Sequence, residues 1–136
     1  MTEHKGFDFQ RMRHLNNRFP MAHLNLMRAK SKAMRITPVL SDMPHGTDVS
    51  SPVERGYMIV EAAQDVYERI RGELQEMRCQ LSGKMEALTD PDEIVIMQLR
   101  YMDGRSVSDI SYIVNYSPAT IYRILSRAER TINGKK

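Results

Sequence analysis

The feature of this sequence that most constrains its fold is a three-residue segment between two short helical patterns near the C-terminus. Apolar side chains recur at helical spacing over residues 107–114 and again over residues 121–132. The segment between them is Asn115-Tyr116-Ser117, in which asparagine tolerates a left-handed backbone and serine can cap the next helix. So short a connection favours a helix-turn-helix, in which the second helix projects outward.

Helix start and stop signals divide the C-terminal part of the chain into successive helices. Asp90 and Ser117 are both capping residues, and each is followed by a proline, which suits the first position of a helix. Ser106 can cap a helix between them, and Gly104 suits the end of the helix before it. The sequence therefore predicts a compact helical domain over residues 89–136.

Upstream of this domain the sequence predicts one long amphipathic helix over residues 53–88. Apolar side chains step mostly by three and four for about five heptads, as in a coiled-coil seam. Ser51 and Pro52 provide a cap and a proline at the first helical position. This seam could pack against the N-terminal helices of the same chain or against a second copy of the chain in a homodimer.

The N-terminal part of the chain is predicted to form basic helices followed by a linker. Pro20 interrupts an apolar stripe over residues 8–36, which predicts a kink or two shorter helices. Three prolines and a glycine over residues 37–52 predict a linker. The predicted fold class is all-α, with an N-terminal helical segment over 1–36, the long helix, and a C-terminal helix-turn-helix domain.

Charged residues are distributed in blocks along the chain. Residues 1–40 contain eight Lys or Arg and two acids, whereas residues 54–90 contain eight acids and five bases. The last twenty residues contain five bases and one acid, Glu129. Basic ends suggest a polyanionic partner, with nucleic acid as the first candidate. The basic N-terminal segment leaves three roles open, which are contact with DNA backbone, contact with RNA polymerase, and simple solvation.

In a helix-turn-helix the outward residues of the second helix determine DNA recognition. Arg123 is placed to pair in a bidentate way with guanine, while Thr120 and Tyr122 can reach phosphate or a thymine methyl. Arg127 and Arg130 follow by a turn or two, where backbone phosphates are closer. The predicted base-reading residues are Ala119, Thr120, Tyr122 and Arg123. The predicted backbone contacts are Ser117, Ser126, Arg127 and Arg130. The alternative is a bundle whose last helix is merely basic, but a solvated face would mix its charges more evenly.

A set of short motifs is spread over the C-terminal helices. Its residues are Leu99-Arg100-Tyr101, Gly104, Ser108-Asp109-Ile110-Ser111, and the run from Ser117 to Arg123. With these residues, the segment 90–132 resembles region 4 of the sigma-70 family. The chain is also similar, through Ser50-Ser51-Pro52 and Leu99-Arg100-Tyr101, to phage and prophage proteins of Gram-positive bacteria grouped near the phage late-gene activators.

This resemblance implies a DNA-binding transcription regulator of phage type, a late-gene activator, with its recognition helix at about 118–131. In region 4 the early positions of that helix read promoter bases. Here those positions are Pro118, Ala119, Tyr122 and Arg123. Region 4 tends to have charged residues where this chain has Pro118 and Ala119, so the DNA sequence preference of region 4 does not carry over to this chain. Region 4 usually has alanine at the position of Ser111. The sigma regions that melt promoter DNA have no counterpart, so the chain is not a complete sigma factor.

No catalytic, metal or cofactor site is predicted. The histidines show no ligand spacing, and Cys79 stands alone. The four histidines are His4, His14, His23 and His45. The single cysteine predicts a cytoplasmic protein, and the chain has no apolar run of bilayer length and no secretory signal. The resemblance implies that this cytoplasm is that of a bacterial host cell. Two other functions remain open, which are a small terminase-like DNA-recognition component of phage packaging and a helical module that binds host RNA polymerase without reading DNA.

Overall fold

A computed structural model of the chain describes residues 6–40 and 52–134, and over these residues the fold is all-α, as predicted. The α-helices in this part of the chain are α1 (Phe9–Leu40), α2 (Pro52–Lys84), α3 (Pro91–Met97), α4 (Val107–Val114) and α5 (Pro118–Ile132). A 3-10 turn, Met85–Ala87, follows α2, and a π-helical turn, Gln98–Met102, continues α3. None of the described helices combines the length and apolar character needed to cross a bilayer.

The N-terminal region forms one helix that continues through Pro20, so of the two predicted alternatives, a kink or two shorter helices, the second was wrong. Proline removes one backbone donor, but Leu15, Ala22 and Leu26 are buried on the same side of α1 and favour continuing the helix past it. The helix also continues to Leu40, beyond the predicted start of the linker at residue 37. Residues 41–51 of that linker, including the predicted cap Ser51, lie outside the described residues.

The chain packs as two compact units whose boundaries lie inside α1 and α2. The first unit comprises the described residues up to Asn17 and those from Leu74 onward, and the second comprises Arg18–Glu73. These boundaries differ from the predicted divisions at residues 36 and 88, because each long helix contributes buried side chains to both units.

In the second unit, α1 and α2 pack against each other in antiparallel directions. The ring of Phe19 stacks on that of Tyr67 with centroids 5.4 Å apart, whereas the later Ala29 lies beside the earlier Ile59. Gly56 of α2 is buried in this unit. The first part of the predicted coiled-coil seam therefore packs on a helix of the same chain.

The first unit has its core where α3, α4, α5 and the start of α1 meet. Its fully buried side chains include Met12, Ile96, Met97, Tyr101, Ile110 and Ile121. The buried Phe9 ring lies 5.1 Å from the Tyr101 ring, measured between centroids. Burying a side chain of this size contributes about 1.5–3 kcal/mol. The start of α1 therefore completes the C-terminal domain, which the sequence predicted over residues 89–136 alone.

Candidate nucleic-acid interface

The turn between α4 and α5 has the three residues that the sequence predicts, Asn115-Tyr116-Ser117. Asn115 adopts a left-handed conformation with φ 68° and ψ 33°, which asparagine tolerates better than most side chains. Its backbone N–H donates to the carbonyl of Ser111. The hydroxyl of Ser111 donates in turn to the carbonyl of Tyr116. The Ser111 hydroxyl therefore stabilises the turn between α4 and α5.

The predicted helix caps are confirmed at the start of α3, α4 and α5. The Asp90 side chain accepts from the N–H of Asp92 at 3.0 Å, and Ser106 accepts from that of Asp109 at 3.1 Å. Ser117 accepts from the N–H of Thr120 at 3.2 Å, and the two hydroxyl oxygens of that pair lie 3.0 Å apart. Two of the predicted DNA contacts, Ser117 and Thr120, thus use their hydroxyl groups to begin α5.

The outward side of α5 is formed by most of the predicted DNA contacts. The exposed residues are Ala119, Tyr122, Arg123, Ser126, Arg127 and Arg130, and Thr120 is half-buried. The opposite side of the helix is buried through Ile121, Ile124, Leu125 and Ala128. Arg123, Ser126 and Arg130 follow at spacings of three and four, so they form one stripe. The helix is therefore amphipathic in the orientation that the sequence predicts.

Glu129, the one acid of α5, is directed into the domain rather than toward the outward stripe. The hydroxyl of Tyr101 donates to its Oε2 at 2.6 Å. Arg13 donates to the Tyr101 hydroxyl at 2.7 Å, and its Nη1 lies 3.8 Å from the same carboxylate oxygen. Burial first, and then the hydrogen bond and charge of Glu129, raise the pKa of Tyr101. Because Glu129 is engaged in this network, the outward stripe presents only cationic and neutral groups.

Arg127 differs from the other arginines of α5 because it binds two acids of the same unit. Its Nε donates to Glu93 at 2.8 Å, and its Nη2 lies 3.4 Å from an oxygen of Asp90. The Glu93 side chain is 7% exposed, so it depends on this partner. The hydrogen bond to Glu93 raises the pKa of Arg127. A phosphate contact from Arg127 would compete with this ion pair.

Tyr116, in the turn between α4 and α5, forms a hydrogen bond with the first turn of α3. Its hydroxyl donates to Asp92 at 2.8 Å, which raises the pKa of the tyrosine. The sequence predicts Asp90 as a helix cap but gives no sign that Asp92 meets Tyr116 or that Glu93 meets Arg127. No local pattern reveals these contacts, because the partners are 24 and 34 residues apart.

Arg123 and Arg130 remain available on the outward stripe. Neither forms an ion pair with an acid in the described part of the chain. The same part contains no cluster of three or more His, Cys, Asp or Glu suited to a metal ion. The available chemistry at this surface is hydrogen-bond donation from guanidinium groups and hydroxyls, which suits phosphates and base edges.

Comparison with known families shows where the chain belongs. A family model described as a protein of unknown function (DUF1492) matches residues 53–133, which is more than half of the chain. The chain therefore belongs to this family. The matched residues include α2 from its second residue and all of α3, α4 and α5. Neither curated proteins nor solved structures give a significant match.

Proposed function

We propose that this member of the DUF1492 family is a transcription regulator that binds specific sequences of duplex DNA through α5. The observation that supports this best is the outward stripe of α5, in which Arg123 and Arg130 have no acidic neighbour on the same stripe. A solvated helix normally mixes both signs of charge on its exposed side. The three-residue turn before α5 is typical of a helix-turn-helix, whose second helix enters the major groove.

Arg123 is the proposed main base-reading residue. It is exposed in the second turn of α5, and its guanidinium can donate two parallel hydrogen bonds to guanine. Tyr122, which is 58% exposed, and Ala119 can contact a thymine methyl beside it. Thr120 is half-buried and engaged with Ser117, so its contribution is mainly to orient the start of α5.

Ser126 and Arg130 are the proposed contacts with backbone phosphates. Both lie on the stripe of Arg123, further along the helix, where a helix in the major groove approaches the sugar-phosphate backbone. Arg127 is proposed as a positioning residue instead, because Glu93 and Asp90 occupy two of its donors. The sequence predicts the same role, contact with backbone phosphates, for Arg127 and Arg130, whereas the proposal assigns them different roles.

The transcriptional and phage-type parts of the proposal rest on resemblance. Residues 90–132 resemble region 4 of the sigma-70 family, and the chain as a whole resembles regulators near the phage late-gene activators. Activation of phage late genes is therefore the specific function that we propose. The buried pattern of α4 and α5 and the capped starts of both helices are compatible with this assignment.

Selection from a random duplex pool tests the proposal. The full-length protein at about 0.15 M salt is expected to enrich one sequence motif, since base contacts distinguish the four base pairs. A palindromic motif would indicate a two-fold dimer with two half-sites. Failure to enrich any sequence over the starting pool would contradict sequence-specific binding.

Arg123→Ala then tests the assigned residue. We expect preference for the selected duplex over a scrambled one to fall about 5- to 150-fold, which corresponds to roughly 1–3 kcal/mol for a bidentate contact. Arg69→Ala, at an exposed arginine of α2, is the matched control and should keep the preference. Unchanged thermal midpoints in both variants would show that the effect lies in binding rather than folding.

A further inference from the structure

A groove follows the antiparallel pair of α1 and α2 in the second unit, and its α1 side belongs to the basic N-terminal segment whose role the sequence leaves open. Arg28, Lys32 and Arg35 of α1 line one part of it, and all three are exposed. Arg55 of α2 lines the adjoining part together with Lys32. Because both parts share Lys32 and Ile59, they form one continuous groove.

The groove is positively charged because α1 has an unusual composition. Over its 32 residues this helix contains seven Lys or Arg and no Asp or Glu. Spacings of four and three place Arg28, Lys32 and Arg35 in one row. No acid is among the residues that line the groove. Within the described ranges, no acid forms an ion pair with these three cations.

The remaining surface of the groove is neutral. Ala29, Ala63 and Ile59 form an apolar lining, and the Ile59 side chain is 58% exposed. Asn25 and Ser31 add neutral polar groups along α1. Such a surface contributes van der Waals contact and no electrostatic repulsion toward an anion. Recognition by this groove would therefore depend on its row of cations.

The row of cations matches a polymer of regularly spaced negative charge better than one compact anion. The rise of an α-helix places Arg28 and Arg35 about 10.5 Å apart along the axis of α1. One DNA strand has a phosphate for about every 3.4 Å of duplex axis, so the row spans roughly three phosphates. Arginine and lysine side chains are also the usual partners of backbone phosphates.

We infer that this groove binds the phosphodiester backbone of DNA without regard to sequence, as a second contact in the complex that α5 forms. The inference rests on the proposed function, because it takes the duplex selected by α5 as the ligand. The groove supplies affinity through charge, and α5 supplies the choice of sequence. An acidic polypeptide is the competing occupant, and DNA binding measured across salt concentrations separates the two.

The test compares two double variants of the full-length protein. Arg28→Gln with Lys32→Gln removes two cations from the groove. Lys30→Gln with Arg71→Gln removes one lysine and one arginine that do not line it, and Arg71 has only an exposed ion pair with Glu68. All four positions are exposed and helical, and glutamine is a good helix former, so both variants keep the fold.

Binding of the selected duplex and of a scrambled duplex is measured over a range of salt concentrations. For the groove variant we expect the slope of log Kobs against log salt to flatten by about 1.8, which corresponds to two lost phosphate contacts. Affinity for both duplexes should fall by the same factor, at least about tenfold near 0.1 M salt. The control variant should stay close to the wild-type slope.

Two results would overturn the inference. The groove variant could match the control in slope and affinity, in which case the groove has another occupant. It could also weaken only the selected duplex, which a contact with the backbone cannot do. In both cases a sequence preference in the wild-type protein leaves the proposed function intact. Conversely, a wild-type protein without sequence preference whose slope still depends on the groove would refute the role of α5 and support the groove.

Discussion

Tyr101 donates a hydrogen bond of 2.6 Å to Glu129, which connects the π-helical turn after α3 with the inner side of α5. The tyrosine is fully buried, and Arg13 near the start of α1 donates to the same phenol oxygen at 2.7 Å. The pair has two effects. It attaches the start of α1 to α5, and it keeps the one carboxylate of α5 away from the outward stripe.

Replacement of Tyr101 by phenylalanine should destabilise the protein by about 1–3 kcal/mol. The change removes the donor to Glu129 and the acceptor for Arg13, and it leaves two partly buried charged groups short of a partner. Urea unfolding followed by circular dichroism measures the loss. Tyr112→Phe is the control, since Tyr112 is 90% exposed and should change stability by no more than about 0.5 kcal/mol. Equal stability of the two variants would contradict the role assigned to Tyr101.

The same tyrosine should make the fold sensitive to alkaline pH. Burial and Glu129 raise the pKa of Tyr101 above its ordinary value of about 10, so the folded state holds the proton more tightly than the unfolded state does. The resulting stability is fully present below about pH 10 and decreases as the pH rises toward the folded pKa. Thermal midpoints measured at several pH values up to about pH 11 should fall more steeply for wild type than for Tyr101→Phe. Parallel curves would count against this explanation.

Alanine substitutions at Arg127 and Arg130 should have different effects, one on stability and the other on DNA binding under the proposed function. Arg127→Ala leaves the buried carboxylate of Glu93 without its partner and should lower the thermal midpoint. Arg130→Ala should leave the midpoint unchanged, weaken binding to every duplex and reduce the salt slope by about 0.9. Thermal unfolding and DNA titration of both variants distinguish the roles. A wild-type midpoint for Arg127→Ala would show that Glu93 does not need this ion pair.

Two substitutions at Ser117 should separate its capping role from DNA binding. Ser117→Ala removes the acceptor for the Thr120 N–H and should reduce stability by about 0.5–2 kcal/mol. Ser117→Asp retains a capping oxygen, so stability should stay near wild type. Its new negative charge at the start of α5 should nevertheless weaken DNA binding under the proposed function. Normal binding by Ser117→Asp would place the DNA away from the start of α5.

Much of α4, α5 and the turn between them could be predicted because their signals are local. A cap needs only an acceptor and an N–H two or three residues away, as at Asp90, Ser106 and Ser117. The left-handed Asn115 likewise reflects a conformational preference of one residue. The buried side of α5 follows from spacing alone, so its outward residues were identifiable before any contact was known.

The sequence by itself determined the helices of the C-terminal region, their caps, the turn and the residues that α5 presents. Only the tertiary structure decided which charged side chains remain available there. Arg127 meets Glu93 across 34 residues, Tyr101 meets Glu129 across 28, and Arg13 meets Tyr101 across 88. Such pairs leave no periodic or adjacent pattern, because they form only when separate helices pack. For the same reason, the attachment of the start of α1 to the C-terminal domain could not be predicted.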